Sequence, residues 1–366
     1  MSRALLPRAL TAMLAGALTM ALCAAGPARA QTEAPKPAAV PTTPASPGTP
    51  GGASALDKVS FGTNWVAEAE HGGFYQALVD GTYKNYGLDV TIVPGGPNVN
   101  NRILLISGKL DFYMTANTLQ SFEAVANNVP VVSVAAIFQK DPQVLLAHPE
   151  AKVTTLEDLK PLTLFVSKEG ISTYFQWLKS EFKFSEDKVR PYTYNAQPFI
   201  ADKASAMQGY VTSEPFLVEQ QAKFKPTAIL IADYGFSAYS TLIEARTAFA
   251  ERKPDLVQRF VDASIVGWYN YLYGDNKAAN AMIKKLNPEM TDALLDYSVA
   301  QMKKDGIVDS GDALKDGIGA MSDERMADFF TKMVRAGVVR RDLDYRKAYT
   351  LRFVNKAVGL DLRPRQ

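Results

Sequence analysis

From Lys58 onward, short β-branched runs and helix-periodic stretches take turns along the chain, and no other feature restricts its fold as much. Val59 to Trp65 predicts a strand, Gly73 to Lys84 a helix, and Leu88-Asp89-Val90-Thr91-Ile92-Val93 an alternating strand, with Gly87 as punctuation. Gly95-Gly96-Pro97, a helix from about Val99 to Ser107 and a strand from Leu110 to Met114 complete a βαβαβ unit. Such alternation calls for a largely parallel sheet with helices on both faces, and ligands of these sheets bind beyond the carboxyl ends of the strands. The pattern restarts near Leu162. Strands are predicted at Leu162–Val166, Val189–Tyr194, Tyr210–Ser213 and Ala228–Ala232, and helices at Ser172–Phe182 and Ala201–Gln208. After Pro254 the spacing turns helical, with Leu256, Phe260, Ser264, Trp268 and Leu272 four residues apart and Gly274 at the end. Further helices are predicted at Asp275–Lys285, Thr291–Asp305 and Ser322–Ala336. Two α/β units followed by helices predict two lobes: 57–150 with 246–366 as the first, and 151–245 as the second.

Upstream of this region the chain reads differently. Arg3 and Arg8 precede a mostly apolar run from Ala9 to Ala25, and Ala28-Arg29-Ala30 fits a small-residue processing site, so residues 1–30 read as a secretory signal peptide. Residues 31–56 form a proline-rich, disordered linker, because Pro, Ala, Thr, Ser and Gly bury too little apolar surface to offset their ordering entropy. Loss of Arg3, Arg8 and Arg29 lowers the basic count from 40 to 37 against 38 acids, so the formal charge moves from +2 to −1. No field of this size steers a protein toward nucleic acid. Cys23, the single cysteine, leaves with the leader. A chain with no thiol and two histidines cannot build a thiolate metal centre or a three-His catalytic zinc site. The mature chain is expected to be exported, monomeric, free of cofactors and metals, and without a membrane span.

The loops that follow the strands carry the chemistry. Asn64 to Tyr75, NWVAEAEHGGFY, runs from a strand end into a helix. There Trp65 offers a flat apolar face and Asn64 a donor and an acceptor, while Gly72 and Gly73 let a ligand approach backbone N–H groups. The alternative reading makes Trp65 and Phe74 core residues and leaves Glu68 and Glu70 solvated. Pro94 to Asn101 places Gly95 and Gly96 beside the sheet edge without the Gly-Lys-Ser/Thr ending of a phosphate loop. Ser167 follows the strand of the second unit at a helix start, where a cap is the commoner role. Glu214, in Tyr210-Val211-Thr212-Ser213-Glu214-Pro215, can accept bonds from the donor edge of a heterocycle if it faces the cleft, or can be a surface carboxylate before a turn proline. No G-x-S-x-G elbow or H-E-x-x-H motif occurs, and His71 beside Glu70 can act as an acid or base, although a lone loop histidine is more often a hydrogen-bonding residue. The pattern describes a binder and not an enzyme.

NWVAEAEHGGFY, then YKNYGLDVTIVPGGP (Tyr83 to Pro97) and SGKLDF (Ser107 to Phe112), resemble the solute-binding proteins of ABC importers in the thiamine-pyrimidine precursor synthesis and uptake family. Weaker likeness continues through GYVTSEPF (Gly209 to Phe216) and PDLVQRFVDASIVGWYNYL (Pro254 to Leu272). Relatives often carry prolines where this chain has Ala67 and Ala69. The resemblance implies an α/β, type II periplasmic-binding-protein fold: two Rossmann-like lobes joined by a two-strand hinge and closing on a small molecule for a permease. It implies that Trp65 stacks on an aminopyrimidine and that Glu214 pairs with its edge. Asn64, His71, Tyr75, Gly95 and Gly96 from the first motifs join the expected ligand-binding set. So do Tyr113, Thr115, Ser167, Tyr194 and Asn195 at later strand ends. Alternatives are the same fold binding a sulfonate, nitrate or other small organic acid, a sensor that uses the same closure, and the pyrimidine-synthesis enzymes of the superfamily, whose cysteine-rich motif is missing.

Overall fold

The computed structural model describes residues 55–96 and 99–365. The leader, Cys23 and almost all of the linker lie outside them, as do Pro97 and Asn98. Among the described residues, ten strands form two five-stranded sheets. In chain order they are β1 (Asp57–Gly62), β2 (Leu88–Val93), β3 (Phe112–Asn117), β4 (Val131–Phe138), β5 (Gln143–Ala147), β6 (Thr163–Val166), β7 (Val189–Pro191), β8 (Ser205–Tyr210), β9 (Thr227–Leu230) and β10 (Ser240–Arg246).

The first sheet has the order β2-β1-β3-β10-β4, with β1 parallel to β2 and β3 and with β10 antiparallel to β3 and β4. The second repeats the plan as β7-β6-β8-β5-β9, β6 running parallel to β7 and β8 while β5 runs antiparallel to β8 and β9. The chain therefore crosses between lobes at 139–142 and returns at 231–239. β5 already belongs to the second sheet and β10 to the first, so both crossings lie ahead of the boundaries expected at 150 and 245. In the first crossing, buried Asp141 accepts the Gln143 N–H at 3.0 Å, and Lys140 Nζ reaches Asp233 Oδ1 of the second crossing at 2.8 Å. Arg325 donates to Gln139 O on one crossing and to Ser237 O on the other, the latter at 2.9 Å. A C-terminal side chain thus ties both hinge segments together.

The helix Pro254–Tyr273 agrees with the four-residue spacing: Phe260, Ser264, Trp268 and Leu272 are buried against the first sheet. Its Phe260 ring stacks on Phe112 at 4.1 Å and meets Phe61 at 5.4 Å, while Trp268 sets its edge against Phe74 and Phe138. Thr291 and Ser322 cap the helices Asp292–Lys304 and Asp323–Arg335 with their hydroxyls, close to the predicted starts. The predicted helix Gly73–Lys84 is broken in two at Gly81, whose φ of +82° no helix interior accepts.

One element changes type. Ala201 to Gln208 reads as a helix, yet Ser205–Tyr210 is the central strand of the second sheet and a short helix ends at Ala201. Ala, Met and Gln favour a helix only weakly, by a few tenths of a kcal/mol each, and pairing on both sides with β6 and β5 in a buried environment outweighs that. Of the predicted strand Tyr210–Ser213, Tyr210 ends this central strand and Val211–Ser213 is a turn. Among the described residues no helix is long and apolar enough to cross a membrane.

Candidate functional site

The carboxyl ends of the parallel strands in both sheets converge between the lobes. After β1, the turn 63–65 is pinned from several directions. Thr63 Oγ1 and the Gly95 N–H donate to Trp65 O at 2.7 and 2.9 Å, and Asn101 Nδ2 donates to Thr63 O at 2.9 Å. Gly95 is required there, because a Cβ would lie 2.5 Å from the backbone of Thr63 and Asn64. Its N–H is committed to this turn, and Gly96 accepts the Val99 N–H, so the glycine pair shapes the loop that presents Trp65. Gly72 and Gly73 are likewise packing residues: a Cβ on them would fall 2.1 and 2.2 Å from the Tyr271 and Trp268 rings.

Trp65 is half-buried and lies 5.6 Å from the ring of Tyr194, which comes from the opposite lobe. Tyr194 stands exposed with φ +61° after β7, backed by Tyr192 at 5.4 Å. A non-glycine residue in the left-handed region costs about 1 kcal/mol or more, a strain that clusters at functional sites. Behind this aromatic pair, the segment 64–75 turns four buried polar atoms inward without a hydrogen-bond partner: Asn64 Oδ1, Glu70 Oε2, His71 Nδ1 and Tyr75 OH. Buried polar atoms are almost always paired in native proteins, and four of the twelve partnerless ones among the described residues fall in this segment.

The electrostatics are acidic. Burial first, and then the charge of Glu214, pushes the Glu70 carboxyl up to about 7 against the hydrogen bond it receives from Thr212. Burial together with Glu70 and Glu214 holds Glu68 well above the usual carboxylate range, and burial raises Glu214 as well. Burial lowers His71 to about 3, so its ring is neutral at physiological pH. His71 Nε2 sits 3.6 Å from Glu68 Oε1. Among the described residues no group of three or more His, Cys, Asp or Glu is arranged to hold a metal ion.

Other expected site residues serve the frame. Ser167 is a cap: its hydroxyl accepts the Gly170 N–H at 3.1 Å, and its own N–H donates to Gln208. Asn195 is exposed and accepts the Gln197 N–H at 3.0 Å in a local turn. Tyr113 packs with Leu105, Ala124 and Val131 inside the first lobe, with its hydroxyl pushed up to about 12 by burial. Thr115 donates to Gln120 Oε1 at 2.7 Å, and Gln120 Nε2 reaches across the cleft to Glu169 at 2.8 Å. Two surface hollows, one beside Lys58, Asp89 and Asp111 and the other beside Asn276, Asn280 and Asp292, include none of these groups.

Residues 68–279 match the family described as NMT1/THI5 like. The chain belongs to that family. This NMT1/THI5-like chain is 24% identical over 263 residues to the riboflavin-binding protein RibY of Chloroflexus aurantiacus, covering 69% of each chain. In fold it is similar to the periplasmic aliphatic sulphonate binding protein SsuA of Escherichia coli, with a TM-score of 0.60, 13% identity, and coverage of 80% of this chain and 91% of that one. The desulfurization enzyme DSZB also shares the fold, with a TM-score of 0.54 at 11% identity, covering 83% of this chain and 99% of that one. The two-lobed, type II periplasmic-binding-protein architecture expected from the motifs is therefore the architecture of this NMT1/THI5-like chain.

The alternative reading of the motif left Glu70 solvated, and the structure buries it at 4% exposure. A signal was present. Glu70 precedes buried Phe74 by four residues, so a helix face extended back from Gly72 carries it inward. Its effect on stability has a definite sign. An acid whose pKa rises from 4.5 to about 7 on folding costs nothing below pH 4.5, and the cost grows until pH passes 7. Relative to Glu70→Gln, the native chain is expected to lose about 2–3 kcal/mol of unfolding free energy between pH 5 and pH 8, read from urea melts at both pH values. Parallel curves would contradict the burial. His71 acts with the opposite sign in both proteins and cancels in the comparison.

Proposed function

We propose that the chain is the extracytoplasmic solute-binding component of an ABC importer, and that it captures a small planar nitrogen heterocycle of the aminopyrimidine type between its lobes for delivery to a permease. The observation that carries the reading is the set of partnerless atoms on 64–75 beside the Trp65–Tyr194 pair. Asn64 Oδ1 only accepts, Glu70 Oε2 only accepts when its carboxyl is ionised, and the His71 and Tyr75 atoms can accept as well. A ligand that supplies amino or ring N–H donors and a flat face satisfies all of them, with Glu214 at the rim of the second lobe. Stacking adds about 0.5–1.5 kcal/mol beyond burial, and a charge-assisted hydrogen bond about 1.5–3 kcal/mol.

The name of the RibY relative also points to a planar heterocycle. The sulfonate reading, which SsuA's name supports, asks for cations or free N–H groups around an oxyanion. Here the half-buried cation Arg102 is paired with buried Glu244 at 2.6 Å, Lys168 is exposed, and the Gly95 N–H is committed. Closure follows from contacts that exist only when both lobes touch the ligand, which shifts a hinge equilibrium through the crossings at 139–142 and 231–239.

Titration of the purified protein with hydroxymethyl-aminopyrimidine, riboflavin and taurine tests the reading. Trp177 and Trp268 are buried in the core, so a change in tryptophan fluorescence reports on Trp65. The pyrimidine is expected to bind with a fluorescence change and to resist competition by taurine. Binding of taurine with no response to the heterocycles would replace this reading by the oxyanion one.

A further inference from the structure

Two carboxylates from opposite lobes approach the cleft, and their surroundings give them different work. Glu214 opens the helix Glu214–Ala222, and its Oε2 accepts both the Tyr210 N–H and the Ser213 hydroxyl at 2.6 Å. Its stem lies so close to Gly209 that a Cβ there would stand 2.6 Å from Glu214 Cβ. Glu214 is thereby locked through one oxygen onto the turn from which its helix starts, and its free Oε1, unlike the open oxygen of Glu70, is not buried. Glu70 has one oxygen engaged and one open. Its Oε1 accepts the hydroxyl of Thr212, a residue of the opposite lobe, while Oε2 is buried without a partner. Thr212 is itself held in place, since its carbonyl accepts the Ser298 hydroxyl at 2.7 Å and the neighbouring Val211 carbonyl accepts that of Tyr297 at 3.1 Å.

We infer that Glu70 of the first lobe, and not Glu214, is the specificity-determining carboxylate: its open oxygen selects ligands that present an exocyclic amino group. The inference rests on the heterocycle reading above. Thr212 joins Glu70 from the second lobe, so the acid is aimed and desolvated where the two lobes meet. The ionisable groups that bear on it are Glu68 and His71 on its own segment, Glu214 and Tyr210 from the second lobe, and Tyr271, itself influenced by Asp296, from the C-terminal helices. None of these is a lysine or arginine. An incoming N–H donor is therefore the partner the carboxylate lacks, and an anionic ligand is repelled.

The test compares hydroxymethyl-aminopyrimidine with the same pyrimidine lacking its amino group, titrated calorimetrically at pH 8 into the native chain, Glu70→Gln, Glu70→Asp, Glu214→Gln and Thr212→Val. The native chain is expected to prefer the amino compound at least tenfold. Glu70→Gln is expected to abolish that preference, Thr212→Val to reduce it, and Glu214→Gln to keep it while weakening both compounds alike. If Glu70→Gln keeps the tenfold preference, the inference is overturned while the functional reading stands. Failure of both pyrimidines to bind the native chain overturns the functional reading and this inference with it. Should the Gln variant not fold, Glu70→Asp decides: its shorter carboxylate is expected to lose most of the preference, and full retention overturns the assignment.

Discussion

Gly267→Ala is expected to lower the unfolding free energy by about 3 kcal/mol, and Gly267→Val to leave little folded protein. The helices Gly72–Val79 and Pro254–Tyr273 touch backbone to backbone at this point: a Cβ on Gly267 would sit 2.4 Å from Gly73 O and 2.6 Å from Ala77 Cβ. Backbone cannot yield as a flexible side-chain tip can, so the helices must separate and the Trp268 packing on Phe74 must loosen. Guanidinium melts followed by circular dichroism read the effect, and an unchanged midpoint for the alanine variant would disprove the close contact. The consequence reaches function, because the shorter helix begins directly after His71 and carries Tyr75.

Trp65→Ala is expected to weaken binding of hydroxymethyl-aminopyrimidine by roughly 30- to 150-fold, with the melting temperature nearly unchanged. Losing one aromatic face removes about 2–3 kcal/mol of burial and stacking, which converts to that range. The ring is half-buried at the cleft and outside the buried core, so the fold does not depend on it. Equilibrium titration of both proteins provides the comparison. Loss of less than threefold would remove Trp65 from the site, and Tyr194→Ala measures the other half of the pair.

The parts of the fold that were legible are those where neighbours in sequence are neighbours in space. β2 falls on Leu88–Val93 as its alternation predicts, and Pro254–Tyr273 shows its four-residue stripe on the buried face. Strand ends were less legible: the strand expected to reach Trp65 stops at Gly62, and the one expected to reach Tyr194 stops at Pro191, so these residues lie in the loops that follow. Misreadings arise where a distant partner decides. Ser205–Tyr210 has a helical composition and becomes a strand because β5 and β6 flank it. Gly72 and Gly73 look suited to a ligand until the rings of Tyr271 and Trp268, some two hundred residues later, occupy the space beside them.

The amino-acid order by itself determined that two α/β units would form, which loops would gather at the carboxyl edges of their sheets, and that an aromatic face and several polar side chains would lie there. Periodicity and turn chemistry are local, and they are written into consecutive residues. Only the tertiary structure decided which of those side chains have their hydrogen bonds met within the protein and which do not. Ser167 and one oxygen of Glu214 found backbone partners next door, whereas Glu70 met the hydroxyl of Thr212 from the other lobe and kept its second oxygen buried without a partner. That distinction depends on desolvation and on groups brought together from 142 positions apart, which no local pattern can express.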